Sequence, residues 1–205
     1  MIKYIIFDLG GVFVSDAPIF YVNKLTDFTE VLEFSGVSRE DSEKIWRKHW
    51  LKLKLGQESI NLFWHDFYKL INNNISLDKI KELYNSKIIL DKQVFDFAKK
   101  LKNNYKLLAL VNESKSGIKL KIDKFKLNTL FEKIYCSANL NMAKPNPEIF
   151  RYVIKDSNLD VNEILFIDNQ IKNVNAAKSL GIKSILFVNL EQLKKDLVLL
   201  SVNIS

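Results

Sequence analysis

The sequence predicts an α/β protein built on a doubly wound parallel sheet, with an all-helical segment inserted near its start. Three observations predict it. Short apolar runs of β-branched and aromatic residues alternate with helical patterns from about Asp91 onward, the signature of successive strand–helix units. The first such run stands alone at the N-terminus, ahead of a long stretch whose apolar residues recur only at helical spacing. Two of the apolar runs stop at an aspartate, Asp8 and Asp168.

The first run, Lys3 to Phe7, has no polar alternation, as expected for a central strand covered on both faces. It delivers Asp8 to its C-terminal end, passes through Gly10 and Gly11, and resumes as Val12 to Val14. In open α/β sheets ligands bind outside the carboxyl ends of the strands, so a carboxylate there is a candidate site residue. Its plainer role would be to cap the following helix.

From Ser15 to about Leu90 the pattern is helical. Pro18 stands near the start, and Ile19, Tyr21, Val22, Leu25, Phe28, Leu32 and Phe34 follow at helical spacing as far as Gly36. Ser38-Arg-Glu-Asp41 reads as the cap of a helix carrying Ile45, Trp46, His49, Trp50 and Leu53. After Gly56 a third helix begins near Glu58-Ser59, carries Ile60, Phe63, Trp64, Phe67, Tyr68 and Ile71, and breaks at Asn72-Asn-Asn74. Ser76 opens a short fourth helix through Ile80 and Tyr84. No strand is evident, and the tryptophans and histidines are expected mostly to pack this segment's own core. Residues 16–90 are therefore an insertion into a unit made of residues 1–15 and 91–205.

Beyond Asp91, Val94 to Leu101 forms a helix and Tyr105 to Val111 a buried strand. A helix from about Ser116 to Phe125 and a short strand Lys133 to Cys136 follow, then a loop from Ser137 to Pro147. Pro147 suits the first turn of the helix running to Asp156. The strand ending at Asp168, a helix stopped by Gly181 and a last strand from Ile182 to Val188 complete the pattern.

Of the 205 residues, 47% are hydrophobic and 27% charged, enough apolar material for a sizeable core. No apolar run has membrane-spanning length and the start lacks a signal-peptide layout, so the protein is expected in the cytoplasm, with no membrane partner. The single cysteine, Cys136, excludes an intramolecular disulfide framework and reads as core packing. The net charge of +7 comes from scattered lysines. Even the densest group (Lys115, Lys119, Lys121, Lys124 and Lys126) has no arginine and only Phe125 beside it, so it reads as a solvated face, and no nucleic-acid partner is expected. The charge favours small anionic substrates.

In a parallel sheet Asp8 and Asp168 end on one edge. Two strand-end carboxylates with a loop lysine, Lys144, point to a magnesium and phosphate site, because Mg2+ takes hard oxygens from one or two carboxylates and completes its octahedron with water and phosphate oxygens.

Four segments in order carry a resemblance: Phe7-Asp-Leu-Gly-Gly-Val, Leu110-Val-Asn-Glu-Ser, Lys144-Pro-Asn-Pro-Glu-Ile-Phe and Phe166-Ile-Asp-Asn-Gln-Ile-Lys-Asn. The chain resembles the haloacid dehalogenase-like (HAD) hydrolase superfamily, in its subgroup with a small helical cap, over nearly its whole length. The resemblance implies a Rossmann-like core, a cap formed by residues 16–90 and an active site between them. It implies Asp8 as the nucleophile that forms an aspartyl phosphate, Lys144 as the residue that orients it and neutralises the phosphoryl group, and Mg2+ on Asp8, the Gly10 carbonyl and Asp168.

Three positions depart from the commonest phosphatase pattern. Gly10 stands where an aspartate usually protonates the leaving oxygen, Val111 where a Ser or Thr hydroxyl binds the phosphoryl group, and Asn169 where a second aspartate is frequent. Ser114 or the Asn112 amide could take the place of the missing hydroxyl, which makes Asn112 a candidate substrate-binding residue with Lys144. The expected function is a magnesium-dependent phosphatase of a small phosphorylated metabolite. The alternatives are a binding module impaired in catalysis and a metal-free 2-haloacid dehalogenase, the latter disfavoured by the charge of Asp168.

Overall fold

The computed structural model describes residues 1–15, 29–71 and 75–204. In chain order the strands are β1 (Tyr4–Phe7), β2 (Val14–Ser15), β3 (Ile89–Leu90), β4 (Lys106–Val111), β5 (Lys133–Cys136), β6 (Ile164–Asp168) and β7 (Lys183–Leu186). The helices are α1 (Thr29–Ser35), α2 (Arg39–Lys54), α3 (Ile60–Tyr68), α4 (Leu77–Ser86), α5 (Lys92–Leu101), α6 (Lys115–Phe125), α7 (Ser137–Leu140), α8 (Pro147–Asp156), α9 (Ile171–Lys178) and α10 (Leu190–Leu199).

Five strands form one parallel sheet in the order β5-β4-β1-β6-β7. Register explains how uninterrupted apolar runs become two cores. Ile5 lies beside Leu107 and Leu165, and Phe7 beside Ala109 and Ile167; this set faces one layer with Val94, Phe97 and Leu101 of α5, Ile118 of α6, and Leu193 and Leu197 of α10. Ile6 lies beside Leu108 and Phe166 and faces the opposite layer with Ile149, Phe150 and Val153 of α8 and Ala177 of α9. Successive strand residues point to opposite faces, so only strands apolar at every position can serve both layers.

From β1 the chain moves outward to β4 and β5, then returns past β1 to β6 and β7. That reversal opens a crevice beside the carboxyl end of β1, the usual ligand position in such sheets. Asp8 follows β1 directly, and Asp168 ends β6.

Helices α1 to α4 have an apolar cluster of their own, with Val31, Leu32, Trp46, Leu53, Phe63, Trp64, Phe67 and Ile80. Phe63 is central to it: its ring centroid lies 5.4 Å from that of Trp46, 5.0 Å from Trp64 and 5.9 Å from Phe67. Burying one such ring contributes about 1.5–3 kcal/mol. The N-caps of α2, α3 and α4 are serines: Ser38 accepts from the Asp41 N–H, Ser59 from Asn61 and Ser76 from Lys79. The expected first part of this segment's leading helix, from Pro18 to Phe28, and the break at residues 72–74 lie outside the described residues.

Several elements differ from the sequence reading. β2 and β3 pair antiparallel, Val14 with Leu90 and Ser15 with Ile89, and the Asp91 N–H continues the pairing to the Phe13 carbonyl at 2.7 Å. Two residues a side are too few for periodicity to reveal. The loop after β5 contains the single-turn α7, and α10 follows the last strand. Lys121 is not solvated: it is buried on α6 and ion-paired with Glu113. Lys124 donates to the carbonyls of Asn85 and Ile88, 2.6 and 2.8 Å away, tying α6 to the end of α4. Cys136 is buried as expected, and that burial pushes its thiol up to about 11. Among the described residues no helix is long and apolar enough to cross a membrane.

Candidate active site

Asp8 continues the sheet by one residue, its N–H donating to the Ile167 carbonyl at 2.8 Å. The chain then turns sharply: the Leu9 carbonyl accepts from the N–H groups of Val12, Phe13 and Val14. Gly11 has φ +74, and a Cβ there would lie 2.1 Å from Asn169 Nδ2. Backbone conformation and close approach both require glycine at this position. Gly10, bridged to Val14, does not adopt a positive φ.

Lys144 is buried, and its ammonium donates to Asp8 Oδ1 at 2.8 Å, Asp168 Oδ2 at 2.7 Å and the Leu110 carbonyl at 2.6 Å. Those three bonds use all its hydrogens. The Phe166 ring centroid lies 5.4 Å from the ammonium. Burial pushes the lysine's pKa down, but the charges of Asp8 and Asp168 and their hydrogen bonds outweigh it, so the pKa is raised and the ammonium is held charged.

Asp168 is fully buried. Its Oδ1 accepts from the Gln170 N–H at 2.7 Å, and the Asn173 amide donates to both carboxylate oxygens at 3.1 and 3.0 Å. Asn173 had no assigned role in the sequence reading, although it closes the last quoted motif. Its signal was a polar residue in the first turn of the helix that follows Asp168, and the structure buries it.

The structure thus brings Asp8, Lys144 and Asp168 together, with Gly10 in the adjoining turn. Asn112 is differently engaged: its Nδ2 donates to the Lys144 carbonyl at 2.8 Å and its Oδ1 accepts from the Lys144 N–H at 2.9 Å. The Ser114 hydroxyl accepts from the Gly117 N–H at 3.1 Å, capping α6, and donates to Glu113 Oε1 at 3.1 Å. Val111 packs in the core layer. In the helical segment, His49 is buried between Glu58 and Asp66, whereas His65 is exposed.

The donor set suits a hard cation. The oxygens at this edge are the carboxylates of Asp8 and Asp168, with the Gly10 carbonyl in the adjoining turn and, beside Gly11, Asn169 Oδ1, a buried atom without a hydrogen-bond partner among the described residues. Among the described residues no three His, Cys, Asp or Glu side chains come together as a metal cluster.

Residues 5–187 match the family described as haloacid dehalogenase-like hydrolase. The chain belongs to that family, and it is an enzyme of the hydrolase class. Its curated relatives include D-ribitol-5-phosphate phosphatase of Bacteroides thetaiotaomicron, 26% identical over 199 residues, covering 90% of this chain and 91% of that protein. They also include drimenol cyclase drtB of Aspergillus calidoustus, 34% identical over 112 residues, of which the match spans only 21%. Among solved structures, a HAD family enzyme from Bacteroides thetaiotaomicron in its magnesium complex superposes with TM-score 0.75 at 26% identity, covering 94% of this chain and 98% of that one.

Proposed function

We propose that the protein is a magnesium-dependent phosphatase of a small phosphorylated metabolite, acting through an aspartyl phosphate on Asp8. The observation that carries this reading is the buried Lys144 ammonium shared by Asp8 and Asp168 at the carboxyl edge of the sheet. The phosphatase among its full-length relatives supports it. So does Lys54 at the end of α2, whose pKa is lowered by burial and by the neighbouring Lys172 in the first turn of α9, a pair of cations suited to an anionic substrate. In this reading residues 16–90 are the cap and residues 1–15 and 91–205 the hydrolase core.

An Asp8 oxygen attacks phosphorus; the Asp8 O–P bond forms while the bond to the leaving oxygen breaks, and that oxygen takes its proton from solvent. Lys144 holds Asp8 in place and offsets charge on the phosphoryl oxygens. Water then attacks the phosphorus, releases inorganic phosphate and restores the Asp8 carboxylate. Asp8, Asp168 and the Gly10 carbonyl would hold Mg2+, which supplies charge neutralisation to the transferring group. Asn173 and the Gln170 N–H orient Asp168 for that task. A screen of phosphorylated metabolites and aryl phosphates, with and without Mg2+, tests the proposal. Hydrolysis that requires Mg2+ is expected; no turnover of any phosphate ester at saturating Mg2+ would overturn it.

A further inference from the structure

We propose that Asn112 is a positioning residue that places the Lys144 ammonium, and that its side chain does not take the place of the missing phosphoryl-binding hydroxyl. The inference rests on the phosphatase reading for its catalytic consequence.

The Asn112 amide satisfies both main-chain polar atoms of Lys144, donating to its carbonyl at 2.8 Å and accepting from its N–H at 2.9 Å. Only one orientation of the amide meets an N–H with oxygen and a carbonyl with nitrogen, so the pairing also fixes which way the side chain lies. A neighbouring strand would offer the same two bonds. Here they come from one side chain, placed one residue beyond the end of β4. The same strand end holds the other extremity of the lysine, because Leu110 O accepts from Nζ at 2.6 Å. Lys144 is therefore gripped at its backbone and at its ammonium by residues two apart.

Asn112 is itself held firmly from the next position along. The Glu113 N–H donates to Ser137 Oγ at 3.0 Å, its carbonyl accepts from Cys136 Sγ at 3.2 Å, and its carboxylate pairs with the buried Lys121. Lysine carries four rotatable bonds, so its ammonium finds two carboxylates reliably only if its backbone origin is set. An asparagine is suited to this because it has a donor and an acceptor in one plane. Alanine or serine at this position would leave the Lys144 peptide short of partners.

The test is a double-mutant cycle on Asn112→Ala and Lys144→Ala with two measurements. One is kcat/KM on an aryl phosphate; the other is affinity for inorganic phosphate at saturating Mg2+, followed by phosphorus NMR so that weak binding stays measurable. Asn112→Ala is expected to lower kcat/KM about 10²-fold, the scale of a misplaced catalytic group. The double variant is expected to be no worse than Lys144→Ala alone in either measurement. Additive losses would mean that Asn112 touches the substrate and would overturn the proposal. A lower Tm with unchanged kcat/KM and phosphate affinity would overturn it too, as a merely structural role. If the wild-type protein neither hydrolyses nor binds phosphate, the phosphatase reading fails and the clamp is judged on Lys144 itself. The side-chain signals of carbon-labelled Lys144, assigned through Lys144→Met, shift in Asn112→Ala if the clamp is real; unchanged signals would refute it.

Discussion

The molecule contains two clusters of the same outline, a buried basic side chain between two carboxylates, and they differ in what surrounds the carboxylates. At the sheet edge Lys144 lies between Asp8 and Asp168. In the helical segment His49 lies between Glu58 and Asp66, with Nε2 3.1 Å from Asp66 Oδ2. There, lysines surround the carboxylates: Lys52 lies 3.8 Å from Glu58, and Lys48 and Lys69 lie 2.5 and 3.5 Å from Asp66. Lys48 and His49 hold the Asp66 carboxyl below the usual carboxylate range. At the sheet edge the Lys144 ammonium is shared by Asp8 and Asp168, and the other donors to Asp168 among the described residues are neutral, the Gln170 N–H and the Asn173 amide. A cluster whose carboxylates are ringed by lysines is a clamp between α2 and α3. The sheet-edge cluster, where one buried ammonium donates to both carboxylates beside the buried Asn169 oxygen, offers hard oxygens to a cation and the phosphate it accompanies.

The sharpest way to break the comparison is to remove each cluster's central chemistry. Asp8→Asn is expected to abolish hydrolysis while Tm changes little, because an amide cannot accept the phosphoryl group. Retained turnover in rigorously purified protein would move the nucleophile elsewhere. Lys144→Met leaves two buried carboxylates facing each other and should cost about 3–5 kcal/mol of stability by denaturant unfolding. Added Mg2+ should restore more of that loss than it adds to the wild-type protein, since it substitutes for the missing cation; equal Mg2+ effects on both would contradict a shared site.

Smaller effects sharpen the sheet-edge reading. With Gly10 in place of a proton donor, rates should fall steeply as the leaving group becomes more basic. Gly10→Asp, at a backbone position that does not demand glycine, should raise alkyl phosphate hydrolysis by about 10² and flatten the dependence. Equal rates on alkyl and aryl phosphates in the natural protein would show that another residue supplies the proton. The smallest effect belongs to the helical cluster. Asp66 has a depressed pKa when folded, so the stability it adds is present above the unfolded carboxylate value of about 3.9 and is lost as pH falls through the lower folded value. Asp66→Asn should therefore lower Tm slightly at pH about 7 and lose that deficit in acid. A deficit that persists at low pH would assign its role to something other than charge.

What the amino-acid order disclosed follows from physics that acts along the chain. Asp8 and Asp168 were legible because each interrupts an apolar run at a strand end, where register alone decides position. Lys144 was legible by its motif and by the charge those two leave. The Asn112–Lys144 clamp and the Asn173 support of Asp168 were not, because the direction of a side-chain hydrogen bond leaves no periodic trace. The β2–β3 ribbon and the one-turn α7 are shorter than any repeat. Lys121 looked solvated because its neutralising partner, Glu113, sits before the helix, and only the fold brings them together.

The most direct test of the sheet edge, and not the helical cluster, as the cation site is Mg2+ titration of the wild-type protein, Asp168→Ala and Asp66→Asn, by calorimetry. Mg2+ binding should be weak in the wild-type protein, lost in Asp168→Ala and intact in Asp66→Asn. Unchanged binding in Asp168→Ala, or loss in Asp66→Asn, would contradict it.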